Sequence, residues 1–400
     1  MNGSNFWLVR IGSILLAVAG AFVINAAAGG NDFTQRLVLL AALYVTLAVS
    51  LNLINGITGQ FSMGHAAFYM VGAYTAAIAT LFNPGVASAH PLPWLLAMMV
   101  AGSIAAGLAG LLVGVPSLRL RGDYLAIVTL GFGEIVRIVA QNVKFGDKGG
   151  SYGFSVDTKV TAVWLAWLLA FTAIALCRNL LSTARGLTFL AVREDETASL
   201  AMGVNVTQTK VTAFVIGSAL AGAAGAMLAH FEGFVSSAMF TMDVSFIIVT
   251  MVVLGGTGSI TGAVVAALLL FLLPEKMRDL PSMPIGGVGA FFIVLALVVA
   301  GLRYVSQTFH GAVKERALRY VGVVVIGLVT AAILGFVLNQ LPAVKAAPLV
   351  EGAKLRMVVF AVTLIVLMLL RPQGIFGHHE FSWDWLRSRL KPKSAEVTPV

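Results

Sequence analysis

TMDVSFIIVTMVVLGGTGSITGAVVAALLLFLL, residues 241–273, is an almost unbroken apolar run interrupted once, by Gly255-Gly256-Thr257-Gly258-Ser259. A helix needs roughly 20 residues to cross the hydrocarbon core of a bilayer, so this run is too long for one span of ordinary tilt. Three glycines within five residues divide it into two short helices. Charge supports the division. From a cytoplasmic loop at 181–210, two crossings here put the loop 303–319 back inside, where Arg303, Lys314, Arg316 and Arg319 outweigh Glu315. They also place inside the tail that carries Arg371, Arg387, Arg389, Lys391 and Lys393, as short basic segments are retained on that face. A single crossing would put both segments outside.

The rest of the chain reads in the same way. Of its 400 residues, 59% are apolar and 11% charged, against about 25% charged in an ordinary soluble domain. In lipid the backbone must satisfy itself, which leaves helices or a closed barrel, and these runs are far too long for barrel strands. Candidate spans lie at 8–28, 37–54, 62–82, 93–114, 124–142, 160–180 and 211–231, then the divided run, then 285–302, 320–340 and 356–370. The fold expected is all-α: one polytopic transmembrane bundle over 1–400, about 12 crossings with broken or short helices, both termini cytoplasmic, in the inner (plasma) membrane. Arg10, the apolar stretch 11–24 and Ala26-Ala27-Ala28 have the shape of a cleavable leader, and are read here as a retained first span. The net charge of +9 is dispersed over loops and the basic tail 378–400, which argues for a bilayer and against nucleic acid as partner. Cys177, the sole cysteine, permits no intramolecular disulfide and implies no zinc or redox chemistry.

No G-x-x-x-x-G-K-[ST] motif is present, so the chain lacks the phosphate cradle of an ATPase. No catalytic residue, cofactor or metal site is expected, and the chain is read as a transport subunit rather than an enzyme. Glu134 and Arg137, three apart on one helix, form an ion pair. The segment 52–74, NLINGITGQFSMGHAAFYMVGAY, is polar for its place between apolar runs. Asn52, Asn55, Thr58, Gln60, Ser62 and His65 must face other helices or a wet pathway. For His65 a hydrogen-bonded packing role and a solute contact both stand. Gly102, Gly107, Gly110 and Gly114, and Gly217, Ala221 and Gly225, recur at helical spacing and suit close helix packing. The loop 181–210 combines apolar patches with Arg193, Glu194, Asp195 and Glu196. Its acidic residues suit a groove on a partner protein better than a membrane surface.

Five stretches together resemble the permeases of branched-chain amino-acid ABC importers, M-subunit type: LNLINGITGQFSMGHAAFYMVGAY (51–74), LRLRGDYLAIVTLGFGEIVRI (118–138), GLTFLAVREDETASLAMGVN (186–205), MVVLGGTGSITGA (251–263) and LLRPQGIFG (369–377). The resemblance implies a homologous second permease subunit, two cytoplasmic ABC ATPase subunits and an extracytoplasmic substrate-binding protein. It implies that Arg193, Glu194, Asp195, Glu196, Ala198 and Gly203 belong to an ATPase-coupling loop, in which Ser199 replaces an alanine of the family pattern. Asn52, Gln60, Ser62, His65, Gly255 and Gly256 become the candidate pathway or gate. Leu, Ile and Val are the expected solutes. Urea, other amides or other amino acids remain open, as does a free-standing secondary transporter or channel. Residues 281–355 depart from the family pattern and read as an insert carrying two extra spans, 285–302 and 320–340.

The insert should place 303–319 inside and 341–355 outside. In a Cys177→Ser background, single cysteines at Ser151 and Ala343 should react with a membrane-impermeant thiol reagent in sealed cells. One at Gln307 should not; its labelling would refute the 12-crossing count.

Overall fold

The structure is a computed structural model that describes residues 17–29, 31–117, 123–146, 148–160 and 162–276, with a few isolated positions beyond. The candidate spans 285–302, 320–340 and 356–370, the loop 303–319 and the tail 378–400 lie outside the described residues. The chain divides into two compact units, Met1–Leu269 with Ile375–Glu380, and Leu270–Gly374 with Phe381–Val400. In the second, Met283–Pro284 and Leu349–Val350 pair as antiparallel strands.

The first unit is built from helices. In order they are α1 (Ala17–Ala27), α2 (Asp32–Asn52), α3 (His65–Phe82), α4 (Pro84–Ala89), α5 (Pro91–Ser117), α6 (Asp123–Asn142), α7 (Val163–Leu181), α8 (Ala184–Glu194), α9 (Glu196–Ala201), α10 (Val206–Glu232), α11 (Met242–Gly255) and α12 (Ile260–Lys276), the last running on into the second unit. Among the described residues, seven segments are long and apolar enough to cross a membrane, so this is a multi-pass membrane protein. The division of 241–273 is observed: α11 stops at Gly255 and α12 begins at Ile260. A second interruption follows α2, where Leu53–Ile57 widens into a π-helical turn and the chain is non-helical until His65.

α10 is the central helix, and its start and stop are local chemistry. The Asn205 side chain accepts from Gln208 N at 2.9 Å, satisfying a free donor of the first turn. Gly233, left-handed at φ +68°, ends it. Between these ends α10 packs on α2, α3 and α5 through small residues. A Cβ at Gly72 of α3 would overlap the backbone of Gly222, and one at Gly222 would overlap that of Gly102 in α5. One at Gly225 would strike the Tyr69 carbonyl, and one at Gly217 would lie 2.9 Å from Ser50 O. Lipid provides no hydrophobic drive for helix association, so backbone approach of this kind holds the bundle together by dispersion and by bonds such as Ser103 Oγ to Ala219 O, 2.9 Å.

At the ends of the helices opposite α8 and α9, the short strand Phe154–Ser155 pairs antiparallel with Phe234–Val235. Arg36 also pairs with Glu232 there, at 2.9 Å.

Gly222→Ala should destabilise the protein by about 1–3 kcal/mol through overpacking, although alanine is otherwise the better helix former. Gly131, whose Cβ would meet nothing within 4 Å, should accept alanine without loss. Thermal unfolding of the two variants in detergent checks the contrast.

Candidate functional site

The two interruptions meet. Asn52, the last residue of α2, is fully buried, and its Oδ1 accepts from Gly258 N in the α11–α12 break at 2.9 Å. A Cβ at Gly56, in the π turn, would overlap both that oxygen and Gly258 N. Only glycine allows the two backbones to come this close. Gly258 itself has φ +93°, a conformation L side chains rarely adopt.

The chain leaving the π turn is held on every side. Thr58 Oγ1 donates to Ile54 O at 2.7 Å, and Gln60 Nε2 donates to Thr58 Oγ1 at 2.8 Å and to Lys210 O at 3.3 Å. Asn55 and Ser62 bond reciprocally, Nδ2 to the Ser62 carbonyl at 3.0 Å and Ser62 N to Oδ1 at 3.1 Å. Free donors at the start of α3 are satisfied from neighbouring helices, Met63 N by Thr129 Oγ1 at 3.0 Å and Ala66 N by Ser245 Oγ at 3.1 Å. His65 Nε2 lies 2.8 Å from Ser50 Oγ, which is also 3.0 Å from Leu47 O. With the single Ser50 proton on that carbonyl, the ring donates from Nε2. His65 Nδ1, Asn52 Nδ2 and Ser62 Oγ are buried with no hydrogen-bond partner among the described residues. Three such atoms in one short segment are unusual for a packed interior.

α8 and α9 form one rigid elbow. Thr183 caps α8, accepting from Gly186 N at 3.2 Å. Asp195 then caps α9, its Oδ1 accepting from Thr197 N at 2.7 Å and Ala198 N at 3.0 Å. α9 closes with Gly203 N bonded to Leu200 O and Val204 N to Ser199 O, both at 3.0 Å, and with Gly203 at φ +81°. This is a glycine-dependent C-terminal cap. Phe189, Val192 and Ser199 face inward, while Leu187, Leu200 and Met202 are exposed and the Glu194 side chain is 75% exposed. Glu196 pairs with Lys210 at the start of α10.

Arg193 differs from its neighbours. Its side chain is 20% exposed, and Nη1 donates to the Gly56 carbonyl at 3.0 Å. The structure thus brings Asn52, the Gly255–Ser259 break and Arg193 together, and joins Gln60 to Lys210. It leaves Glu194, Asp195, Ala198 and Gly203 on the elbow. Gly255 and Gly256 end α11, where a Cβ at Gly255 would overlap Gly262. Sequence reasoning missed Gly56, Lys210, Thr129 and Ser245. A lysine opening a long apolar run and a glycine off helical spacing in N-G-I-T-G were the available signals. Glu134 and Arg137 pair as expected, at 2.7 Å, about a quarter exposed on α6.

The family model for the permease component of branched-chain amino acid transport systems matches residues 33–300, which include both interruptions and the elbow. The chain belongs to this family. It is 33% identical over 323 residues to the high-affinity branched-chain amino acid transport system permease protein LivM of Escherichia coli K12, covering 72% of this chain and 73% of the relative. It is 27% identical over 263 residues to LivH of the same organism, covering 58% and 81%. It is 24% identical over 329 residues to the autoinducer 2 import system permease protein LsrC of Enterobacter sp. strain 638, covering 78% and 89%. No solved structure matches the chain.

Asn52→Ala should leave the Gly258 amide buried without an acceptor, lowering stability by about 1–3 kcal/mol. Thermal unfolding of the purified permease reads the change, and an unaltered transition would remove Asn52 from this role.

Proposed function

We propose that the chain is one permease subunit of an ATP-driven importer of branched-chain amino acids, placed in the inner membrane with both termini cytoplasmic. It pairs with a homologous second permease, docks two separate ABC ATPase subunits and receives solute from an extracytoplasmic binding protein. The observation that carries this reading is the elbow α8–α9. It shows apolar and acidic side chains outward and, behind them, is bonded to the π turn at Gly56 and lies against the α11–α12 break. Its similarity to both LivM and LivH of one organism supports a paired permease.

The docking face consists of Glu194, Asp195, Leu200 and Met202, with the caps at Asp195 and Gly203 fixing its shape. The solute path or gate runs beside Asn52, Gln60, Ser62 and His65 and the glycines Gly255 and Gly256. Unpartnered buried polar atoms support a wet rather than a lipid-facing setting there. The two spans proposed within 281–355 complete 12 crossings. The similarity to LsrC favours, as a second reading, a permease of the same construction for another small polar solute.

In proteoliposomes holding the full importer, leucine uptake should require ATP and the binding protein. Proline cannot adopt the φ of +81° found at Gly203 and removes its amide donor. Gly203→Pro, and likewise Glu194→Lys with Asp195→Lys, should therefore abolish uptake and weaken ATPase copurification. Gln60→Leu should lower uptake with assembly intact. Uptake without ATP would refute the reading, and ATP-driven uptake of a different solute alone would select the second.

A further inference from the structure

We infer that Arg193 is a positioning residue that ties both interrupted segments to the elbow, so that the elbow and the two breaks move as one body. This rests on the elbow being the ATPase-docking element. Arg193 is in the last turn of α8; its side chain is only 20% exposed, and its Nε lies 3.5 Å from the exposed Glu194 carboxylate. Its Nη1 reaches the carbonyl of Gly56 in the π turn, at 3.0 Å. Carbonyls at the end of a helix lack helical donors and carry partial negative charge, so a guanidinium is the matched partner.

The same side chain lies against the other break. A Cβ at Gly258 would come within 2.5 Å of Arg193 Nη1, so the guanidinium occupies the space that a larger residue there would need. At its root, Arg193 packs on the loop after the π turn: a Cβ at Gly59 would lie 3.6 Å from Arg193 Cβ and 3.1 Å from Cγ. One residue of the elbow therefore touches the π turn, the loop that follows it and the α11–α12 break. A parallel strap runs from Glu196 to Lys210, whose carbonyl accepts from Gln60. A residue that served only to cap Gly56 would have no need to contact all three.

The separation at Gly59 provides the test: a Cβ built there lies 3.6 Å from Arg193 Cβ, within the range a disulfide spans, and because Gly59 has φ +70°, Gly59→Cys alone serves as the reference for strain. Arg193→Leu in the reconstituted importer should lower uptake about tenfold, the loss expected of a charge-assisted hydrogen bond. ATP hydrolysis and ATPase copurification should persist, so that more ATP is used per solute moved. In a Cys177→Ser background, Gly59→Cys with Arg193→Cys should show the same deficit when reduced and recover the parent's uptake when oxidised. Uptake at the parental level in Arg193→Leu, or hydrolysis falling in step with uptake, would overturn the inference. So would an oxidised double variant no more active than the reduced one while Gly59→Cys alone is active. Failure of the parent itself to show ATP-driven uptake would count against the proposed function and not against Arg193.

Discussion

Backbone that leaves helical geometry where it is buried must find its hydrogen-bond partners within the protein. Two segments here do so at the same place, after Ile57 and after Gly255, and each supplies what the other lacks. The Asn52 side chain accepts the Gly258 amide across the gap, and Gly56 is bare so that the gap can be that narrow. From this follow the polar character of 52–65, the glycine content of the α11–α12 break, and the presence of Arg193 beside both.

The contrast with the rest of the bundle is physical. α3, α5 and α10 approach through Gly72, Gly102, Gly222 and Gly225, with backbone against backbone. Such contacts have no alternative rotamers and little slack, because close-packed interiors resist small displacements. The interrupted segments are held instead by side chains: Asn52, Asn55, Thr58, Gln60 and Arg193. Side-chain bonds can exchange partners one by one. A scaffold fixed by glycines thus surrounds a region whose arrangement is set by discrete polar contacts.

The six spans from 37–54 to 211–231 and the divided run at 241–273 were legible in the sequence because hydropathy and glycine spacing act locally. Asn205 and Gly233 add capping signals that place the ends of α10. The polar segment 52–74 was legible as something other than a lipid-facing helix, since lipid excludes that many hydrogen-bonding groups. Its partners were not legible, because they come from distant positions: Gly258 is 206 residues from Asn52, and Arg193 is 137 from Gly56. No periodicity encodes such pairings. Arg193 illustrates the limit. Grouped with three acidic neighbours it reads as part of one outward charged cluster; its Nε does lie 3.5 Å from Glu194, but its Nη1 reaches inward to Gly56, which the sequence does not signal.

Magnitudes bear on how this region could switch. Reversing a two-state equilibrium from 1:99 to 99:1 takes about 5.5 kcal/mol of differential interaction. A hydrogen bond to a charged group contributes about 1.5–3 kcal/mol and a neutral one about 1 kcal/mol. No single contact in the cluster is then sufficient. With one charged bond among neutral ones, about four or five must change together. Independent loss of the Asn52 or Gln60 bonds would only loosen the cluster. A side chain that touches the π turn, its loop and the second break at once converts several small terms into one step, and a displacement of α8–α9 acts on all of them through the same guanidinium.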